Sequence, residues 1–552
     1  MALRVEDGLV EASTGGGAAG PTTTTSTPKS EPTTVVAPWL RLLIATASGA
    51  ALAVAFPPLG WAWITPFAVG ALTLACKGLR VRTGALVGLG FGVGFFAVLL
   101  QWIRVIGVDG WVALTLIQAV FMAGLGAGIV LVTRLRGWPV WVAALWVGVE
   151  LARGTVPLGG FPWGRLAFAL DSTPMAAYAS LGGVAFVSFL VALAGNLLAW
   201  AAVARASRVP TRAGAAVAAV ALALGGLLVP LPTAGQGSAV VAVVQGNVPA
   251  RGMEFLGRAR TVTRNHLEAT EELMRDVAAG KVPKPEFVVW PENSTDIDPF
   301  ADPETRAIVE QAVAAADVPV LVGAVLNGPG EHYRRTTGVV WDPDTGPGQT
   351  YVKQHPVPFG EYIPFRQLLL PYIDRLQLVG RDTFAGSEPG LMKIAGYDIA
   401  EVICFEIAYD GIVGEVARGD SQMLVVQTNN STYLGTGQPQ QQFAITRLRS
   451  IEYGKATLVA SPSGISGVIS PDGTVVARSR EATRQTYVEQ VPLRTSPTLA
   501  ARLGPGPERL AAIVGLGAMV VAVVRIRRSR RTAWQTAPAQ GATPRGTDER
   551  GN

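Results

Sequence analysis

The segment Ala239-Val-Val-Ala-Val-Val-Gln245 is an uninterrupted run of small and β-branched apolar residues with the length of one strand. Continuously apolar strands of this kind lie in sheets that are covered on both faces. Similar runs follow at 287–290, 318–322, 399–404 and 423–427, and they alternate with helical patterns at 254–279, 303–316 and about 437–454. The alternation predicts a layered α/β domain with buried sheets, which we place at 236–495.

Long apolar stretches precede this domain. The chain has 552 residues, of which 49% are hydrophobic and 16% charged, whereas an average soluble domain is roughly 25% charged. No charged residue lies between Arg41 and Lys77, and a turn at 57–60 divides that stretch into two helices; further runs lie at 83–103, 111–133, 138–152, 174–203 and 213–232. Because a spanning helix needs ~20 mainly apolar residues, we predict seven transmembrane helices within 38–235.

A shorter apolar run follows the α/β domain. Leu510–Val524 has 15 uncharged residues, which is roughly 22 Å of helix and less than the ~30 Å hydrocarbon core. Glu508 and Arg525 can extend it by reaching the interface. We predict an eighth span at 507–527, and therefore a polytopic α-helical membrane domain of about eight spans that carries the α/β domain.

The net charge of +6 is concentrated at the carboxyl terminus. The segment from Arg525 onward contains seven arginines and only two acidic residues, Asp548 and Glu549. The rest of the chain therefore has a net charge of +1. No basic face remains for a nucleic acid. We therefore expect no nucleic-acid partner and interpret 528–552 as a basic cytoplasmic tail.

Basic residues in the loops predict the orientation of the spans. They cluster in the second, fourth and sixth loops, at 77–82, 134–136 and 205–212, and such loops favour the cytoplasm. This predicts a multi-pass protein of the cell membrane with both termini cytoplasmic and the α/β domain extracytoplasmic. Residues 1–37, rich in Thr, Gly and Ser, are expected to form a disordered tail.

Cysteine and histidine are too sparse for a disulfide framework or a metal site. Cys76 ends an apolar helix pattern and Cys404 ends a strand pattern, and the three histidines are isolated. We expect no metal and no cofactor.

Polar residues at three strand ends are candidates for chemistry. Glu292 follows the 287–290 run, Lys353 follows Tyr351-Val, and Cys404 ends the 399–404 run. Each alone has an ordinary structural explanation. Together they form an acyl-transfer set, since a buried carboxylate can deprotonate a thiol and an ammonium can stabilise an oxyanion.

Three motifs resemble the Glu-Lys-Cys triad of the nitrilase (carbon–nitrogen hydrolase) superfamily. They are Trp290-Pro-Glu292, the segment around Lys353, and Ile403-Cys-Phe-Glu406. The resemblance implies an α-β-β-α sandwich. The longer string Lys353-Gln-His-Pro-Val-Pro-Phe-Gly-Glu-Tyr-Ile-Pro-Phe365, with seven preceding spans and one following, resembles the bacterial apolipoprotein N-acyltransferase family over 38–527.

The resemblance implies a role for each residue of the triad. Cys404 would take a fatty acyl group from a phospholipid as a thioester, Glu292 would be the general base, and Lys353 would stabilise the oxyanion. The amine of a diacylglyceryl-cysteine at the amino terminus of a lipoprotein would then attack the thioester, which makes the reaction ping-pong. We expect a monomer that binds the bilayer, the phospholipid donor and the diacylglyceryl-modified apolipoprotein.

Further residues match the family pattern. Glu361 is expected to support Lys353, Glu406 to support the acceptor amine, and the backbone N–H of Phe405 to be a second oxyanion donor. The segment 429–435 is either one wall of the acyl pocket or a plain polar loop. The apolar loop 368–373 either enters the membrane interface or packs in the core.

Two other functions remain open from the residues alone. One is a membrane-tethered nitrilase or amidase that uses water as the acceptor, because the triad is shared. The other is a non-catalytic polytopic carrier with a nitrilase-like binding domain. Few charged residues lie in the predicted spans, which disfavours a translocation path.

Overall fold

The apolar runs of the amino-terminal half form helices. The structure, a computed structural model, describes residues 37–204, 208–233, 235–248 and 260–535. Within these ranges seven α-helices precede the first strand: α1 (Pro38–Val54), α2 (Ile64–Cys76), α3 (Val81–Leu99), α4 (Val108–Val132), α5 (Trp138–Arg153), α6 (Ala179–Val203) and α7 (Val209–Leu224). Each overlaps a run that the sequence identifies.

Fewer of these helices than predicted are long enough to cross a bilayer. Over the described ranges five helical segments have the length and composition of a span: 81–99, 108–132, 174–203, 209–228 and 506–529. α1, α2 and α5 have only 17, 13 and 16 residues, and 13 residues rise only about 20 Å. The expectation of about eight complete spans is not confirmed, because the turn at 57–60 separates α1 from α2 and α5 ends at the buried Arg153.

The last helix is longer than predicted. α13 (Leu499–Leu503) leads into α14 (Gly506–Gln535), whose apolar part has 24 residues, or about 36 Å. Glu508 can lie in its first turn because the carboxylate pairs with Arg165. Most of the two predicted tails, at 1–36 and 536–552, lies outside the described residues.

Two sheets follow the membrane helices. The strands are β1 (Ser238–Gln245), β2 (Phe287–Val289), β3 (Val320–Asn327), β4 (Tyr333–Asp342), β5 (Gly346–Val352), β6 (Asp382–Thr383), β7 (Leu391–Ile394), β8 (Tyr397–Ile403), β9 (Met423–Gln427), β10 (Thr457–Ala460), β11 (Gly467–Ile469), β12 (Val475–Arg478) and β13 (Gln485–Pro492). The first sheet has the order β13-β1-β2-β3-β4-β5, with β6 paired to β4, and the second has the order β12-β11-β10-β9-β8-β7. The five predicted strands are confirmed as β1, β2, β3, β8 and β9.

The central strands of each sheet are parallel. β1 pairs with β2 and β2 with β3 in parallel, and β8, β9 and β10 do the same in the second sheet. β5 runs in the direction of β3, because both are antiparallel to β4. The carboxyl ends of β2 and β5 therefore meet at one edge, where ligand-facing groups of such sheets commonly lie.

Helices cover both outer faces of the paired sheets. α8 (Thr261–Ala278) and α9 (Pro303–Ala316) pack on the first sheet, while α11 (Asp410–Ala417) and α12 (Gln438–Tyr453) pack on the second. A short α10 (Arg366–Leu369) lies in the long loop after β5. Val241, Phe287 and Val425 belong to the buried layer between the sheets. The order of layers is the α-β-β-α sandwich that the resemblance implies.

The second sheet shares its outer core with the membrane helices. One buried apolar cluster contains Val426 of β9, Leu448 of α12 and Phe95 of α3. A chain of partly buried ion pairs runs along the same boundary. It joins Arg165, in the loop after α5, to Asp410 at 2.5 Å, and Asp410 to Arg449 at 2.5 Å. The sandwich is thus fixed against the membrane helices by both packing and charge.

Candidate functional site

Cys404 lies at a sharp turn where β8 ends. Its φ is +57°, a left-handed conformation that is uncommon for a residue with a side chain. A short 3-10 helix, Cys404–Ala408, begins there and turns the chain away from the sheet. The side chain is only partly buried. The thiol is therefore held in a fixed position at the end of a buried strand and is still accessible.

Glu292 and Lys353 reach the same place from the first sheet. Glu292 follows β2 by three residues and is 3% exposed, and Lys353 directly follows β5 and is 1% exposed. Glu292 and the Cys404 thiol lie close enough for each to shift the pKa of the other. The three residues that the sequence singled out, far apart along the chain, are thus brought together where the two sheets face each other.

The Lys353 ammonium is held between two carboxylates. Its Nζ lies 2.9 Å from Glu292 Oε1 and 2.9 Å from Glu361 Oε2. Burial alone would lower the pKa of Lys353, but Glu292 and Glu361 outweigh it and hold that pKa well above its ordinary value. The backbone N–H of Val357 donates to Glu361 at 2.7 Å. Glu361 therefore contacts Lys353, and its supporting role stays a prediction. An ammonium has three hydrogens, so with Glu292 and Glu361 as acceptors one remains for a substrate oxygen.

Burial raises the pKa of both the Cys404 thiol and the Glu292 carboxyl. It raises the pKa of Cys404 to about 12, with the Glu292 charge adding to the rise and Lys353 opposing it. Burial also raises the pKa of Glu292, against the attraction of Lys353. A thiol with so high a pKa is not a thiolate at neutral pH, so it needs a base in contact with it. Glu292 is in that position.

Glu406 does not face an incoming amine. The side chain is 0% exposed. Its Oε1 accepts from the backbone N–H groups of Gln354 and His355 at 2.7 and 3.0 Å, and its Oε2 accepts from Tyr351 Oη and the Ile403 N–H at 2.9 and 2.7 Å. The expectation that Glu406 supports the acceptor amine is corrected: with both oxygens used inside the protein, it ties the Lys353 loop to the Cys404 turn.

Phe405 joins the site to the membrane helices. Its ring stacks on Trp163 with centroids 5.1 Å apart and planes at 3°, and on Phe161 at 5.5 Å and 28°. Both partners lie in the loop that follows α5. In the first turn of the 3-10 helix a backbone N–H has no partner within that helix, which leaves the Phe405 N–H as a candidate oxyanion donor.

Residues that sequence reasoning missed complete the surroundings of Cys404. The Thr428 hydroxyl lies 3.3 Å from Cys404 Sγ, and Gln442 Nε2 donates to the Cys404 carbonyl at 3.2 Å. Thr428 directly follows β9, so the strand-end criterion that selected the triad applied to it as well. Gln442 lies within α12 and has no such local signal.

The loop after β9 also contacts the membrane helices. The Tyr433 ring makes an edge contact with Trp102, at a centroid distance of 5.1 Å. Burial raises the pKa of Tyr433, and the charge of Cys404 is the next largest cause, which places its hydroxyl near the site. The segment 429–435 therefore includes a wall of the site, whereas a plain polar loop would have no such contacts.

Sequence comparison gives the family. Residues 48–197 match the Apolipoprotein N-acyltransferase N-terminal domain, and residues 240–499 match Carbon-nitrogen hydrolase. An apolipoprotein N-acyltransferase of Mycolicibacterium smegmatis is 36% identical over 88% of this chain and 85% of its own. The chain belongs to the apolipoprotein N-acyltransferase family. One member, from Gloeobacter violaceus, is 31% identical over 84% of this chain and 90% of its own.

The two matched regions divide the site between them. The region matched as an apolipoprotein N-acyltransferase N-terminal domain contains Trp102 and Trp163, and the second region contains Glu292, Lys353 and Cys404. Among solved structures, an amidase of the nitrilase superfamily from Nesterenkonia AN1 aligns with 49% of this chain and 95% of its own, at 13% identity and a TM-score of 0.36.

Proposed function

We propose that this chain is an acyltransferase that moves a fatty acyl chain from a phospholipid to the amino-terminal diacylglyceryl-cysteine of a lipoprotein. One observation carries the proposal. The Cys404 thiol lies beside a buried Glu292–Lys353 pair, close enough for their charges to shift its pKa, while the next residue, Phe405, stacks on Trp163 of the membrane region. A reactive thiol built for acyl transfer thus lies beside helices that contact lipid.

The first half-reaction acylates Cys404. Glu292 takes the thiol proton, and the sulfur attacks the ester carbonyl of the phospholipid. The oxyanion of the tetrahedral intermediate receives hydrogen bonds from the Lys353 ammonium and the Phe405 N–H. When the C–O bond breaks, the leaving alkoxide takes the proton back from Glu292, so a thioester and a lysophospholipid result.

The second half-reaction transfers the acyl group to nitrogen. The free α-amine of the diacylglyceryl-cysteine attacks the thioester carbonyl, and Glu292 accepts a proton from that amine. The C–S bond then breaks, and the proton on Glu292 returns to the sulfur of Cys404. The amide product leaves, and the site returns to its starting protonation state.

The attachment of the sandwich to membrane helices suits substrates that remain in a bilayer. Bringing an acyl chain out of the membrane into water costs ~0.8 kcal/mol per CH₂. We place the sandwich on the extracytoplasmic face with both termini cytoplasmic, following the basic loops, and we propose that a monomer acts.

The loop after Lys353 provides apolar side chains for contact with lipid. Leu368 is 65% and Tyr372 82% exposed, and no residue of α10 is buried. This is inconsistent with core packing of those two side chains. We propose that they enter the interface beside the site.

The test follows the acyl group to its acceptor. Purified full-length protein in liposomes receives a phospholipid with a tagged acyl chain and a diacylated lipopeptide with a free amino terminus. The proposal predicts label on the lipopeptide as a hydroxylamine-resistant amide. Cys404→Ala should abolish transfer, whereas Cys76→Ala, the matched control at the other cysteine, should not. Release of the label only as free fatty acid would contradict the proposal and indicate a hydrolase.

A further inference from the structure

A buried chain of amide and hydroxyl groups lies behind Cys404. Its members are Thr428, Asn430, Gln438 and Gln442, each 1–3% exposed. They come from the loop after β9 and from the first turns of α12. Buried polar groups in such chains fix one another's orientation, so the direction of each hydrogen bond can be worked out.

The Cys404 carbonyl determines the orientation of Gln442. Gln442 Nε2 lies 3.2 Å from that oxygen, and a carbonyl oxygen can only accept. The oxygen of the same Gln442 amide supports this orientation, because Oε1 accepts from Asn430 Nδ2 at 2.8 Å and from Gln438 Nε2 at 3.0 Å. The amide nitrogen of Gln442 therefore faces Cys404.

The same nitrogen determines what the Thr428 hydroxyl can do. Its second hydrogen is donated to Thr428 Oγ1 at 2.8 Å. The hydroxyl has one hydrogen of its own, and its possible acceptors are Cys404 Sγ and Asn430 Oδ1, both at 3.3 Å. Once the sulfur is a thiolate it is the stronger acceptor, since hydrogen bonds to charged groups are about twice as strong.

We propose that Thr428 is a further catalytic residue, which donates a hydrogen bond to the Cys404 thiolate, and that Gln442 is the positioning residue that aims this hydroxyl. The inference rests on the proposed function in taking Cys404 as the nucleophile. In the step itself the thiol proton goes to Glu292, the electron pair stays on sulfur, and Thr428 keeps its proton. Gln442 also holds the carbonyl of the left-handed residue 404 in place.

The hydroxyl offsets part of the cost of forming a charge in a buried site. Burial raises the pKa of Cys404, while Lys353, the Thr428 hydroxyl and the Asn429 backbone N–H oppose that rise. Lys353 is already bonded to two carboxylates. Thr428 is a neutral donor with no competing charge, so its removal acts on the thiolate and leaves the Glu–Lys pairs unchanged.

The test measures how readily the sulfur becomes a thiolate. Full-length protein in the Cys76→Ala background is alkylated with iodoacetamide at a series of pH values, and Cys404 modification is read by peptide mass. Thr428→Val keeps the side-chain shape and removes the hydroxyl. We expect the alkylation profile to move toward higher pH by roughly one unit, which is measured as about tenfold slower alkylation at each pH below the midpoint. Acylation by phospholipid should also slow by about tenfold.

Two further variants separate the hydroxyl from a general structural effect. Thr428→Ser restores a hydroxyl and is expected to bring the midpoint back toward wild type. Thr446→Val removes another buried hydroxyl of the same region, one that bonds the Gln442 carbonyl at 3.0 Å, and is expected to leave the midpoint where it is.

Gln442→Met keeps the proposal testable if Thr428→Val does not fold. It removes the amide that orients Thr428, so the midpoint should again rise, by less than in Thr428→Val. An unchanged midpoint in a folded Thr428→Val, or in Gln442→Met, would overturn the proposal. Alkylation needs no lipid, so the two failures are distinguishable: a failure of acyl transfer in the wild type would refute the proposed function, whereas the alkylation profile would still show whether Thr428 stabilises the thiolate.

Discussion

Replacing Glu361 by glutamine is expected to move the acid limb of Cys404 acylation to lower pH. Glu292 must be a carboxylate to act as the base. Burial raises its pKa most, Lys353 lowers it, and the negative charge of Glu361 raises it further. Removing that like charge lowers the pKa of Glu292. The base then stays ionised at more acidic pH, so acylation persists there.

The size of the shift follows from the distances around Lys353. One oxygen of Glu292 and one of Glu361 each lie 2.9 Å from Nζ, so these two atoms are at most about 5.8 Å apart. At an effective dielectric constant of about 20, two unit charges at that distance interact by about 3 kcal/mol, or about 2 pKa units. Because Glu361 is 15% exposed, solvent weakens this interaction. We expect a shift of about one to two pH units.

The assay is the single-turnover rate of Cys404 acylation by a fluorescent phospholipid in liposomes, measured from pH 4 to 9. The plateau rate of Glu361→Gln should also fall, because a weaker base removes the thiol proton more slowly. Asp374→Asn serves as the control, since this exposed carboxylate lies in the same loop. An acid limb that stays in place, or that moves to higher pH, would refute the reasoning.

Three further outcomes are expected. Glu401 is 0% exposed, its oxygens have no hydrogen-bond partner among the described residues, and burial holds its pKa well above the ordinary value. Above the unfolded pKa of about 4.3 the unfolded chain ionises Glu401 while the folded protein keeps it protonated, so the free energy of unfolding falls as pH rises. Glu401→Gln removes this ionisation and should flatten the fall of melting temperature between pH 5 and 8. Arg449→Met, which breaks a buried pair with Glu452, should destabilise the protein by ~3–5 kcal/mol in thermal unfolding. Lys281→Met, at a solvent-exposed pair, should leave the melting temperature nearly unchanged. The double change Leu368→Ser with Tyr372→Ser should raise the apparent KM for phospholipid in liposomes and leave the iodoacetamide reactivity of Cys404 unchanged. A fall in iodoacetamide reactivity as large as the loss of activity toward phospholipid would contradict a role in lipid contact.

Two of the three candidate residues follow strands that their own sequence identifies. Glu292 and Cys404 stand where β-branched runs end, and a sheet with parallel central strands brings such ends together. Lys353 follows only the pair Tyr351-Val, and the family resemblance selected it. The contact between Lys353 and Glu361 was expected from the family pattern, and the eight positions between the two residues make it a local one. Local sequence therefore carried most of the information about these residues.

Long-range packing determined what the sequence could not predict. Glu406 accepts four hydrogen bonds inside the protein, and three of their donors lie in the 351–355 segment of the other sheet. Gln442 reaches Cys404 across 38 positions of the chain. The turn at 57–60 and Lys77 are visible in the sequence, but α2 begins only at Ile64, which leaves it 13 residues.

Strands with mixed composition were also missed. β4 begins Tyr333-Arg-Arg-Thr-Thr and β5 begins Gly346-Pro-Gly-Gln, and neither has the continuous apolar pattern of a central strand. Both lie toward one edge of the first sheet, and solvent reaches the start of β4 and the middle of β5. Pairing with β3, more than local propensity, makes them strands.

The covalent state of Cys404 tests the central claim most directly. Wild-type protein is mixed with phospholipid of a single acyl composition, without an acceptor, then quenched in acid and digested for mass analysis. The account predicts one acyl group on the peptide that contains Cys404, removed by hydroxylamine, absent in Cys404→Ala and retained in Cys76→Ala. An unmodified Cys404 peptide, or an acyl adduct of equal yield in Cys404→Ala, would contradict it.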